Sequence, residues 1–212
     1  MGIKIFPKAF HNGCLEPLEG TENWYWSMAG KDVETVLCAD EIDQSSAGTR
    51  LYLIHYPEGT VYEPLPQQEL FYMAQPVWDQ GRIGILALDR KESQLLIYAF
   101  LPETGKLELL DAFSQDILPD LYGSVNVKAS PLMIVYEDCN GITQMLWPQK
   151  RILSEDELET FICQEGKNLY FTVYDEESDE NRFNVREVDT GETIATYRGT
   201  PHLMPDGSVW LT

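Results

Sequence analysis

The chain has 212 residues, 35 of them acidic against 15 basic, for a formal net charge of -20 at neutral pH. So negative a surface is repelled by phosphate backbones and anionic lipid, which sets nucleic-acid and membrane partners aside. With 43% hydrophobic residues and no run of eighteen apolar ones, the composition is that of a packed globular domain, not of a disordered tail or a membrane span.

Taken in chain order, the predicted elements are almost all strands. Residues 3–6 (Ile-Lys-Ile-Phe) run apolar to Pro7 and lead to a second strand over 13–18. Residues 24–28 and 36–40 read as strands ahead of a hairpin whose arms are 51–56 and 61–65, with Pro57-Glu58-Gly59 at its turn. Residues 83–89 precede a hairpin of 95–101 and 107–110 around Pro102-Glu103-Thr104-Gly105. Strands over 122–127 and 132–137 precede 145–147 and 152–153 around Pro148-Gln149-Lys150. The stretch Ser154-Glu155-Asp156-Glu157 has the form of a helix-capping box and predicts one helical turn. Strands over 160–164 and 169–175 precede 183–188 and 193–197 around Asp189-Thr190-Gly191. The last residues, 201–212, read as two short strands about Asp206-Gly207. Proline presets φ for a turn and glycine admits positive φ, so each hairpin has a mechanism behind it.

The turn markers fall at positions 7, 57, 102, 148 and 189, spaced by 50, 45, 46 and 41 residues. A repeat of that length holding about four strands resembles the blade of a β-propeller. The resemblance covers nearly the whole chain and is to an architecture, not to a particular family. It implies one all-β domain over residues 1–212, a five-bladed β-propeller whose last blade is closed by strands from both termini. Closure of this kind leaves no exposed sheet edge.

In such a ring the second-to-third-strand loops share one face, and in this chain they are acidic. They are residues 40–48, 89–93, 138–141 and 175–181. Asp175, Glu176, Glu177, Asp179 and Glu180 form the densest run, and the first four are candidate binding residues. They cannot all serve one central ion, because strands step outward by about 4.8 Å while calcium ligands lie within about 2.6 Å. Trp24, Trp78, Asp79 and Asp206 are candidates for a channel mouth, where aromatics beside carboxylates suit a sugar ring.

No Ser-His-Asp set, phosphate loop or HExxH motif occurs. The four cysteines (Cys14, Cys38, Cys139 and Cys163) have no CxxC spacing and fit free thiols of a cytoplasmic protein. The three histidines lack a second ligand at zinc spacing, so no metal and no cofactor are expected. Residues 1–8 lack the apolar stretch of a secretory signal. These readings imply a non-catalytic binding or scaffold module for a protein or small-molecule ligand, with a carbohydrate-directed enzyme or lectin as the alternative. The oligomeric state is left open.

Overall fold

The computed structural model describes residues 14–37, 47–118, 123–129, 131–175, 180–204 and 208–212. Strands take 57% of the described residues and helices 5%, which makes the class all-β. The chain divides into two compact units, residues 1–117 and 118–212.

Among the described residues the first unit holds two sheets. One is β1 (Glu16–Pro17), β2 (Trp24–Ala29), β3 (Arg50–His55) and β4 (Thr60–Tyr62), in that order. The other runs β5 (Phe71–Met73), β7 (Arg82–Asp89), β8 (Gln94–Leu101) and β9 (Lys106–Ser114), with β6 (Val77–Asp79) also pairing with β7. β5 takes the Ala87–Asp89 end of β7 and β6 takes its Arg82–Gly84 end, so together they make one interrupted edge strand. Both faces of β7 are buried from Ile83 through Leu88, as an unbroken apolar run requires. Leu18, Trp24, Leu51, Leu53, Phe71, Met73, Ile83, Ile85 and Phe100 form this unit's core.

The second unit repeats the plan. One sheet is β10 (Ser124–Lys128), β11 (Met133–Glu137), β12 (Thr143–Trp147) and β13 (Arg151–Ser154). The next is β14 (Glu159–Glu165), β15 (Asn168–Asp175), β16 (Glu180–Glu187) and β17 (Thr193–Arg198). Phe161, Leu169 and Phe171 of the second sheet pack with Met133, Val135, Met145 and Leu153 of the first. A separate two-stranded sheet, β18 (Pro201–Leu203) and β19 (Val209–Leu211), ends the chain. All pairings are antiparallel, and among the described residues no sheet closes on itself.

Four of the five expected hairpins form, at Pro57, Pro102, Pro148 and Asp189. Three of them close with the same hydrogen bond. The N–H groups of Gly59, Gly105 and Gly191 donate to the carbonyls of His55, Leu101 and Glu187, at 2.7, 2.8 and 2.8 Å. In each, the glycine is left-handed. The hairpin expected at Pro7 lies outside the described residues.

Three expectations are corrected. Residues 36–40 were expected as a strand, but Val33–Leu37 is a short helix, α1. Asp32 Oδ1 accepts the Thr35 N–H at 2.8 Å, and Val33, Val36 and Leu37 bury one helical face. Residues 24–28 were expected innermost; instead β2 lies between β1 and β3, with Glu16 and Pro17 paired to Trp26 and Tyr25. Leu18, fully buried, donates its N–H to Trp24 O at 2.9 Å and anchors that reversal. The capping box makes no helix: Ser154 Oγ accepts the Asp156 N–H at 3.2 Å within a turn between β13 and β14.

Gly48 and Thr49 tie the first unit's two sheets together. Thr49 donates its N–H to Phe71 O at 2.9 Å, its hydroxyl accepts the Met73 N–H at 3.0 Å, and it donates to Lys31 O. At Gly48 φ is +66°, and a Cβ would stand 2.0 Å from Gln68 O and 2.4 Å from Phe71 O. Gly48→Ala is therefore expected to cost about 3 kcal/mol or more, since backbone rather than a side chain must move. Urea denaturation checks this, and a midpoint unchanged from wild type would show that the segment relaxes freely.

Candidate functional site

The sequence candidates of the first unit are built into its packing. Trp24 stands at the head of β2 with 4% of its surface exposed. Its ring lies 4.8 Å from His55, 5.7 Å from Tyr62 and 5.9 Å from Phe100. Trp78 on β6 is half-buried and packs against the same core. Asp79 follows it and begins a two-residue turn in which Gln80 and Gly81 both have positive φ, the geometry of a tight hairpin. The turn brings Arg82 back beside Asp79, whose Oδ2 accepts from Nε at 3.0 Å and Nη2 at 2.8 Å. Asp79 is 1% exposed, so this fork-shaped pair supplies the charge compensation a buried carboxylate needs.

In the second unit Asp175, at the end of β15, pairs with Arg182 of β16. Glu176, Glu177, Asp179 and Asp206 lie outside the described residues. The structure brings Trp24, Trp78 and Asp79 into one unit and places Asp175 in the other.

A further polar cluster, centred on Glu159, is one the sequence did not single out. Glu159 opens β14 with only 2% of its side chain exposed. Its Oε2 accepts from the Ser154 hydroxyl at 2.6 Å, and its Oε1 from Arg186 Nη2 at 2.6 Å and Asn184 Nδ2 at 3.4 Å. Arg186 reaches it from β16 across the whole of β15, with its guanidinium 4.9 Å above the Phe171 ring. Ser154 belongs to the preceding sheet, so the carboxylate joins two sheets as well as two strands. Each oxygen is occupied by a donor of the chain itself, so the cluster ties the two sheets together. Its signal was faint because 5, 25 and 27 residues separate the partners, and only cross-strand register unites them.

Cys163 is also enclosed, on the opposite face of β14. Burial, reinforced by the Glu165 charge and partly offset by Lys128, pushes its thiol up to about 11. Tyr170, stacked on Phe183 at 5.4 Å, is raised by burial, and so is Tyr98, with Asp89 adding to the effect. Among the described residues no group of three or more His, Cys, Asp or Glu is placed to hold a metal. No helix among them is long and apolar enough to cross a membrane.

Two outcomes follow. Glu159→Ala strands the enclosed Arg186 charge and should destabilise the protein by about 3 kcal/mol, while Glu159→Leu combined with Arg186→Met should recover most of that loss. Urea titration of the three proteins decides it; equal losses in the single and double variants would refute the tie. For Cys163, a pKa of about 11 leaves about one thiol in a thousand ionised at pH 8. Mass-mapped alkylation should therefore label exposed Cys14 and Cys139 at least about a hundredfold faster, with the Cys163 rate rising steeply toward alkaline pH. Comparable rates at the three positions would overturn this.

No family model matches the sequence, and no curated protein matches it. Among solved structures, the chain is similar to a candidate dipeptidyl aminopeptidase IV from Bacteroides ovatus at 10% identity, over 91% of this chain and 35% of that one, with a TM-score of 0.46. It is also similar to two variants of the Synechocystis apocarotenoid oxygenase at 12% and 11% identity, over 94% of this chain and 53% of theirs, with TM-scores of 0.38 and 0.41. The chain thus spans about a third of the first protein and about half of the second. These neighbours are β-rich and carry repeated four-stranded sheets, and no particular family is shown by them.

Proposed function

We propose that this chain is a non-catalytic binding or scaffold module that engages a protein or small ligand. The observation that carries the reading is the fate of its enclosed reactive groups. Asp79 is held by Arg82, Glu159 by Arg186, Ser154 and Asn184, and Cys163 is kept as a neutral thiol. Groups used for acid-base or nucleophilic work need an open side toward substrate. A carbohydrate site at Trp24 would need an uncovered ring, and that ring is enclosed by His55, Tyr62 and Phe100.

The architecture we propose for the module is the five-bladed β-propeller, its last blade closed by strands from both termini, β18 and β19 among them. Support comes from the two-stranded terminal sheet, since every other sheet among the described residues has at least four strands. A three-residue pair of strands is marginal in water by itself, and Trp210 of β19 is 60% exposed.

At a net charge of -20, the favoured partner is basic, and the run from Asp175 to Glu180 would steer its approach. The test replaces Glu176, Glu177 and Asp179 by their amides and leaves Asp175 to hold Arg182. Association with a lysine-rich peptide is then followed by stopped flow over a salt series. A slower on-rate at low salt, converging with wild type as the Debye length falls below about 8 Å, is the expected result. An unchanged on-rate would reject steering. Saturable turnover of chromogenic glycosides or peptide esters by the pure protein would reject the non-catalytic reading itself.

A further inference from the structure

The turn that joins β11 to β12 carries two neighbours that the binding reading does not use, Asn140 and Gly141. Asn140 is exposed to solvent, and Gly141 sits at φ +81°. Gly141 has no substitute there: a Cβ would stand 2.1 Å from Glu157 Cα and 2.9 Å from Glu157 N. The fold therefore retains an asparagine followed by glycine, the pair in which no side chain crowds the nitrogen able to cyclise onto the asparagine.

We propose that Asn140-Gly141 is a deamidation site gated by the conformation of its turn. In the reaction the Gly141 nitrogen bonds to Asn140 Cγ and the Cγ–Nδ2 bond breaks. Ammonia departs with the proton taken from the Gly141 amide and leaves a five-membered succinimide. Solvent water then adds to either ring carbonyl. One opening gives aspartate, the other an isoaspartyl link with an extra main-chain carbon, and no oxidant or reductant is involved.

The gate is Asp138. Its Oδ1 accepts the N–H groups of Asn140 at 2.9 Å and Ile142 at 2.7 Å. Its carbonyl accepts the Gly141 N–H at 3.2 Å, and its own N–H donates to Ile142 O at 3.0 Å. The attacking nitrogen is thus occupied and the peptide planes on both sides of it are pinned. Cyclisation has to wait for the turn to open, so its rate follows the population of the open form. Once formed, either product places a carboxylate beside Asp138. The isoaspartyl product also lengthens a turn whose flanking residues, Glu137 and Thr143, are paired across the strands.

The experiment holds the full-length protein and a free peptide of residues 137–143 in the same warm neutral buffer. Peptide mapping then follows the mass gain and the isoaspartate content at position 140. With several hydrogen bonds to break, the folded chain should react at least about tenfold more slowly than the peptide. Asp138→Ala should close most of that gap, whereas Asp138→Asn, which keeps the Oδ1 acceptor, should remain slow. Equal rates in chain and peptide, or an unreactive peptide, would overturn the proposal. So would a folded Asp138→Ala protein that reacts no faster than wild type. If that variant does not fold, the wild-type chain, its peptide and Asp138→Asn decide the matter.

Discussion

A strand that is apolar on both faces cannot remain at a surface, and this constraint organises the molecule. Residues 83–88 of β7 and 133–136 of β11 are buried throughout. A single antiparallel sheet with one wet face would leave half of these side chains in water, at about 25 cal/mol for each Å² of apolar area. Middle strands must therefore be covered on both sides, while outer ones need not be. The outer strands show the difference: β9 and β17 contain no buried residue at all. Burial is thus greatest in the middle strands β7 and β11 and absent from the edge strands β9 and β17.

Among the described residues, the two buried carboxylates, Asp79 and Glu159, are each met by an arginine. Asp79 meets Arg82 through a hairpin of two residues, a local solution. Glu159 meets Arg186 across an intervening strand, a nonlocal one, and the Phe171 ring fills the space beneath the guanidinium. Register also sorts the arginines of that sheet. Arg182 pairs with Arg198 across β16 and β17, and Arg186 stands an even number of residues further along β16, so all three share a face. Each then finds an acid there: Asp175, Glu180 and Glu159 respectively. Like charges opposite one another on adjacent strands would be unfavourable without those partners. An excess of acids in the sequence makes such partners easy to supply.

The hairpins were legible because their chemistry is local. Gly59, Gly105 and Gly191 each close a turn by the same hydrogen bond, and the need for positive φ marks them in the sequence without reference to any neighbour. The strands of 83–89, 132–137 and 169–175 were equally visible, since apolar runs bounded by turn residues say how a segment is buried. By contrast, Val33–Leu37 offered five residues that fit either a strand or a helical turn. The cap from Asp32 and the burial of one side decided for the helix.

The sequence by itself determined the all-β class, the hairpin positions and the strongly acidic character, because each depends on residue type and short-range spacing. Tertiary structure decided what the candidate residues do. Trp24 could have lined a ligand site or filled a core, and the neighbouring His55, Tyr62 and Phe100 enclose it. Ser154 could have capped a helix, and it binds a buried carboxylate instead. Glu159 looked like any other of the chain's many acids until strand register set Arg186 and Asn184 against it. The Asn184 and Arg186 contacts span 25 and 27 residues, which a reading of neighbours along the chain does not contain.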